Sequence, residues 1–301
     1  DENGKPLRVY FKEMKEANQL IEEFMLLANR KVAEFVGRKR QGVQNSERTF
    51  VYRVHDKPNS DKLAQLRSFV MRFGYQMKSD AVGKALAKDI NKLMTNVHGK
   101  QEENLILTLA IRTMAKATYT TTNIGHYGLA FDYYTHFTSP IRRYPDMMVH
   151  RLLAHYLAGG KSEDKEYYEG LCEHSSAMEI RAADAERASI KYKMVEFMLD
   201  KLDQEFDGHI SGVTEWGIYI ELDDTKIEGM VSLRDLTDDY YTFDEENYCL
   251  RGERTGRIFT LGDGVRIRVM RADLARKQLD FALTATYDFD TKKATPVQET
   301  L

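Results

Sequence analysis

The chain has 301 residues, 42% hydrophobic and 30% charged, with a formal net charge of −3 at neutral pH. That is long enough for one large domain plus a small one, and the composition is that of a soluble globular protein. The charge excludes a globally basic nucleic-acid binder, so any nucleic-acid contact has to come from a local basic channel. No stretch approaches the roughly 18 apolar residues that span a bilayer, and no signal peptide opens the chain. Cys172 and Cys249 are far apart, which suggests neither a disulfide framework nor a zinc site. Cytoplasm is therefore the expected compartment.

Asp1-Glu2-Asn3-Gly4-Lys5 contains the Asn-Gly signal of a tight hairpin turn, and residues 6–11 read as the strand that follows it. The partner strand is missing and no initiator methionine is present, so the chain is expected to begin inside a domain. Ala17, Leu20, Ile21, Phe24, Met25, Ala28, Val32, Phe35 and Val36 recur at helical spacing up to Gly37. A basic loop, Arg38-Lys39-Arg40, follows, then a short strand within residues 49–54. Ser60 is the expected cap of a helix that stops at Gly74, and further helices are expected over 80–96 and 102–116. A helix over 139–157 and a long charged one over 164–202 complete a mostly helical half. No internal repeat or low-complexity segment is visible.

After Asp203 the period changes from helical to alternating. Residues 208–213, 217–222, 227–231, 265–269 and 278–283 read as five short strands with Gly-marked turns, which fits a small closed barrel. A long loop, 238–257, interrupts it with Tyr240, Tyr241, Phe243 and Tyr248. Residues 287–301 read as a flexible tail.

The run His136-Phe137-Thr138-Ser139-Pro140-Ile141-Arg142-Arg143-Tyr144-Pro145-Asp146 carries the most chemistry. Ser139 suits an N-cap and Pro140 the first helical position, where no amide donor is needed. Free amides at such a start favour anions, and Arg142 and Arg143 would sit in its first turn. Arginine there can grip a phosphate with a bidentate fork. A capped helix whose arginines pair with local acids satisfies the same spacing, and spacing alone does not choose between the two.

Gly125-His126-Tyr127-Gly128-Leu129-Ala130, the arginine run and His150-Arg151 together resemble the signature of the ribonuclease II/R family of 3′→5′ exoribonucleases, in its ribonuclease R form. The resemblance extends through residues 20–29, Arg53-Val54-His55-Asp56-Lys57-Pro58 and Ala185-Glu186-Arg187, and covers nearly the whole chain in order. Gly217-Ile218-Tyr219-Ile220, Gly229-Met230-Val231-Ser232 and Gly262-Asp263-Gly264-Val265 resemble an S1-type OB-fold, although Ser232 stands where that domain often has histidine. The fold implied is α+β: residues 1–202 the mostly helical C-terminal part of an RNB catalytic domain, and 203–286 a five-stranded OB-fold (S1-type) barrel.

The resemblance also implies roles. Arg142 matches the arginine near the scissile phosphate. Glu22 matches the acid at the sugar of the 3′-terminal nucleotide, and Glu186 an acid near the same end of the channel. Arg143, His136 and Tyr144 are RNA-contact candidates. In the barrel, Trp216 and Tyr219 are candidate stacking platforms, and Arg268, Arg276 and Lys277 could track phosphates. Each has a plainer alternative: exposed helix acids for Glu22 and Glu23, pairing with Arg187 or a residue one turn away for Glu186, and core packing for Trp216 and Tyr219.

Two-metal phosphodiester hydrolysis needs converging carboxylates. The family's aspartate cluster for Mg²⁺ is not found here, so those ligands are expected upstream and no metal ligand is assigned. Asp223-Asp224 and Asp238-Asp239 read as solvated turn residues. His55, His126 and His136 are expected in structural or RNA-contact roles, because a metal-made hydroxide needs no histidine base. The implied activity is processive 3′→5′ hydrolysis of single-stranded RNA to nucleoside 5′-monophosphates by a monomer. A non-catalytic RNA-binding module is the alternative for this chain alone, and a helical protein with a protein-docking OB-fold is a third.

Overall fold

A computed structural model describes residues 1–38, 48–78, 83–100, 102–245, 247–287 and 294–297. Most of the expected basic loop, Lys39 and Arg40 included, lies outside them. The helical half runs α1 (Glu16–Gly37), β1 (Tyr52–Val54), α2 (Ser60–Arg72), α3 (Gly83–Val97), α4 (Glu103–Thr113), β2 (Thr118–Thr120), α5 (Tyr144–Leu157) and α6 (Lys165–Met198). The expected start of α3 at Asp80 also lies outside the described residues.

Cap chemistry explains several boundaries. Asn59, one residue before the expected cap, accepts hydrogen bonds from the amides of Asp61 and Lys62 and starts α2. Asp164 does the same for α6 through Glu166 and Tyr167. The expected helix start at Ser139 is not what forms. α5 begins at Tyr144 with Pro145 in its first turn, and Arg143 is its N-cap without a side-chain cap bond. Pro145 has no amide hydrogen and its ring excludes the carbonyl four residues back, so a helix cannot run through from Ser139. Residues 139–143 form a turn instead.

Two cores hold this half. One gathers Ala33 of α1, Phe50 to Val54, Tyr119 of β2, Met148, Val149, Leu152 and Tyr156 of α5, and Cys172 of α6. The other joins α2, α3 and α4 through Leu63, Leu66, Val70, Ile90, Leu93 and Ile106, and touches Leu261 of the C-terminal half.

The strands that follow are β3 (Glu205–Thr214), β4 (Gly217–Leu222), β5 (Glu228–Ser232), β6 (Tyr241–Asp244), β7 (Cys249–Gly252), β8 (Ile258–Thr260), β9 (Gly264–Asp273), β10 (Gln278–Tyr287) and β11 (Ala294–Pro296). β9, β3, β4, β5 and β10 pair in that order and β10 returns to β9, closing a five-stranded barrel. Ile218, Ile220 and Leu222 point inward at every second position of β4 and are buried with Val265, Ile267, Val269, Leu279 and Phe281. Val195 and Met198 at the end of α6 join the same core, so the helix plugs the barrel.

Two expectations change here. The 238–257 loop contains strands: β6, β7 and β8 form a separate antiparallel sheet. Its acids do lie in a turn but are tied to the protein, since Asp238 binds Arg257 at 2.6 Å and the Asp239 carboxylate takes the Arg254 and Thr255 amides. In the expected tail, Ala294–Pro296 pair with β10, while 288–293 and 298–301 lie outside the described residues.

Candidate nucleic-acid interface

The arginine turn is built from amides and side chains that seek partners. The Ser139 carbonyl accepts from the Arg142 and Arg143 amides at 3.3 and 3.1 Å, closing the turn. The Ser139 amide donates to Asp146 Oδ2 at 2.7 Å, and Arg143 Nη2 donates to the same oxygen at 2.9 Å. Asp146 is fully buried. From α1, the Asn29 Oδ1 accepts from the Phe137 and Thr138 amides, and its Nδ2 donates to the Tyr134 hydroxyl. His150 of α5 bonds the Phe137 carbonyl at 2.9 Å and stacks on the Phe137 ring at 4.0 Å.

This turn stands where a helix start capped by Ser139 was expected. The amides of residues 137, 138 and 139 are already taken by Asn29 and Asp146. Ile141 and Arg142 stand exposed at the tip of the turn, and the Arg142 guanidinium has no acidic partner among the described residues. Arg143 does have one, so the two adjacent arginines divide the work: one ties the turn down and the other reaches out.

Beside the turn lies a cationic and aromatic stack. The Tyr119 hydroxyl is 2.7 Å from His136 Nδ1. The Arg53 guanidinium lies 4.5 Å over the Tyr119 ring and forks onto Glu179 of α6 at 2.6 and 3.1 Å. Burial pushes the Tyr119 phenol up to about 12. Burial first, and then Arg143, Arg53 and other positive neighbours, holds His136 down at about 3. His126 is lowered to about 4, mainly by burial, with His55 and Arg53 adding.

The Gly125–Ala130 segment is pinned by the other two histidines. The Gly128 and Leu129 amides donate to His55 Nδ1 and His126 Nδ1, and His55 Nε2 bonds the Ala115 carbonyl. Gly125 adopts φ +80, a conformation that side chains disfavour, as the chain turns against Phe131. A cavity of about 390 Å³ opens beside this segment, lined by His55, Lys57, Asn123, His126 and Tyr127 among others.

The remaining candidates are spread over the molecule. Glu22 on α1 and Glu186 on α6 are exposed, and neither pairs with Arg142 among the described residues. Arg187 pairs with Asp184 at 2.7 Å, not with Glu186. Tyr144 is 50% exposed at the start of α5. Trp216 is 68% exposed in the β3–β4 turn, which removes core packing as its role. Gly217 makes that turn possible with φ +148, where a Cβ would collide with the Val231 carbonyl. Tyr219 alternates with buried Ile218 and Ile220 and so lies half-buried on the outer face of β4. Arg268 pairs with Glu205 at 2.8 Å across β3 and β9. Arg276 and Lys277 occupy the β9–β10 turn, the latter at φ +54.

Among the described residues, no three His, Cys, Asp or Glu side chains are grouped as a cation cradle. The described donors therefore do not fit a divalent cation, and no step can be drawn through one. Asn29, Arg53, Tyr119, Asp146 and Glu179 shape the site without having been singled out for it. Asn29, Arg53 and Asp146 lie within the segments of family resemblance, but the partners of Asn29 and Arg53 are more than a hundred residues away and leave no local pattern.

The RNB domain pattern matches residues 1–159 and the S1 RNA binding domain pattern matches residues 199–284. Ribonuclease R of Aquifex aeolicus is 38% identical over 286 residues, covering 94% of this chain and 39% of that protein. Ribonuclease R of Escherichia coli is 35% identical over 283 residues, covering 90% of this chain and 34% of that protein. The chain thus spans about two fifths or less of the relatives it matches. The structure of Mycoplasma genitalium RNase R in complex with ribose methylated single-stranded RNA superposes with a TM-score of 0.81 at 27% identity, over 94% of this chain and 44% of that one. With its arginine turn, plugged barrel and both domain patterns in order, the chain belongs to the ribonuclease II/R (RNB) family and is most like ribonuclease R.

Proposed function

We propose that this chain is the RNA-gripping part of a processive 3′→5′ exoribonuclease that hydrolyses single-stranded RNA to nucleoside 5′-monophosphates in the cytoplasm, as a monomer. One observation carries the reading: Arg142 projects from a turn that Asn29, Asp146 and Arg143 tie down, which leaves its guanidinium available for a phosphate. Glu22 would meet the sugar at the 3′ end and Glu186 the same end of the channel, with Arg143, His136 and Tyr144 beside them. Trp216 and Tyr219 would stack bases on the barrel, and Arg268, Arg276 and Lys277 would follow the backbone. The M. genitalium complex supports single-stranded RNA as the ligand. Residues 1–202 and 203–286 serve as the catalytic-domain portion and the RNA-binding barrel.

Mg²⁺ would be held by aspartates outside this chain. The second reading follows: alone, the 301 residues bind RNA without cutting it. The acids near the turn support it, because Asp146, Glu179 and Glu169 are each committed to amides, hydroxyls or arginines. Digestion of a 3′-labelled single-stranded RNA with Mg²⁺ tests both, using this chain and a version extended upstream. Mononucleotide release by the extended protein only is expected; robust release by the chain alone would overturn the second reading. In the extended protein, Arg142→Ala should cut turnover by orders of magnitude with little loss of binding, because a charge aimed at the transition state acts on chemistry.

A further inference from the structure

We propose that Tyr119 is a positioning residue: its hydroxyl fixes His136 in the Nε2–H tautomer, so that the ring offers a neutral hydrogen-bond donor to a phosphodiester oxygen beside Arg142. The proposal rests on the RNA-gripping reading of the turn. It begins with a bond that can be made in two directions. Either the phenol donates to His136 Nδ1 or the imidazole donates to the phenol, across 2.7 Å. Tyr119 is 5% exposed, and its hydroxyl has no other hydrogen-bond partner among the described residues. A buried hydroxyl proton without an acceptor is costly, so the phenol donates and Nδ1 accepts. A neutral ring then carries its proton on Nε2.

The ring stays neutral because burial and the nearby Arg53, Arg142 and Arg143 oppose a second proton. Its Nε2 has no hydrogen-bond partner among the described residues, and the His136 ring bonds only Tyr119 among them, through Nδ1. An unpaired donor close to two arginines is matched by an acceptor that carries negative charge. The non-bridging oxygens of an RNA backbone are that acceptor. Tyr119 is in turn held from α6, by Ser176 Oγ accepting its amide at 2.9 Å and by Arg53, which forks onto Glu179. The α6 helix thereby sets the proton position of His136 through Tyr119.

The imidazole ¹⁵N spectrum of the 301-residue chain decides the tautomer without RNA. The expected result is a single Nε2–H form for His136, and a mixture in Tyr119→Phe; an Nδ1–H form in the wild type would overturn the proposal even if the variant failed to fold. Binding of a fluorescein-labelled oligoadenylate in EDTA then tests the consequence. Tyr119→Phe should weaken binding about three- to tenfold, the range for one hydrogen bond. His136→Gln places an amide N–H near the Nε2 position whatever its neighbour does, so adding Tyr119→Phe to it should cost less than about twofold. Equal losses in both backgrounds would make Tyr119 a merely structural residue and overturn the proposal. A wild-type chain that bound no oligoadenylate would overturn the RNA-gripping reading, and with it the donor's role, while leaving the tautomer measurement standing.

Discussion

In the barrel, Ile218, Ile220 and Leu222 alternate inward along β4 and are wholly buried, and the register of the strand follows from that apolar pattern. The turn from His136 to Arg143 buries little apolar surface: Phe137 packs against the neighbouring core, and Ile141 is fully exposed. What holds it is a set of directional bonds to Asn29, Asp146 and His150, drawn from two different helices. Non-directional burial tolerates small adjustments, whereas a buried carboxylate with two donors on one oxygen does not. The region that has to place a guanidinium accurately is thus the one built from bonds with fixed geometry.

The sharpest way to break this contrast is at Asp146. Asp146→Ala removes the acceptor of the Ser139 amide and strands the mostly buried Arg143 charge, and should lower stability by about 3–5 kcal/mol in urea unfolding. A loss below 1 kcal/mol would show that the turn does not depend on its buried ion pair. In the barrel, Ile220→Ala should cost about 3 kcal/mol through the cavity it leaves, while the His136 imidazole signal stays unchanged. Movement of that signal would mean that the two regions are coupled more tightly than their separate cores suggest. Trp216→Ala should leave the melting temperature unaltered, given its exposure, but weaken oligonucleotide binding by about 1–3 kcal/mol.

The remaining expected effect is on pH. His136 and His126 are held at about 3 and about 4 when folded, against about 6.5 unfolded. Between those limits the unfolded chain takes up more protons, so stability should fall as pH drops from about 6.5 towards 4 and level off above about 7. The groups facing His136 in this window are Arg53, Arg142, Arg143 and His126. Melting curves of His136→Gln should show part of this slope removed; an unchanged slope would place the titration elsewhere.

The same contrast governs what could be read from the sequence. Strand β4 was legible at its observed limits because period-two burial is a local property. To within a few residues at their ends, so were α1, α2 and α6, whose periodic spacing is local. The three-stranded sheet between Tyr241 and Thr260 was not, because its strands are short and separated by acids and glycines that read as a loop. At the arginine turn two prolines compete as helix starts, Pro140 and Pro145, and only the second is used. The candidacy of Arg142 was visible through family resemblance. Its supports were not, since Asn29 and Arg53 come from far upstream and Glu179 from downstream.

The 34-residue α6 helix has Cys172 in the core beneath the arginine turn and Val195 and Met198 in the core of the barrel. At about 1.5 Å per residue it is a rod some 50 Å long, and a rod with both ends glued is a gauge of phase as well as length. Inserting one residue midway would advance the barrel about 1.5 Å and swing it by about 100° around the helix axis. Trp216 would then face a different side of the molecule. The length of α6 in residues, more than any single contact along it, therefore sets the bearing of the barrel relative to Arg142.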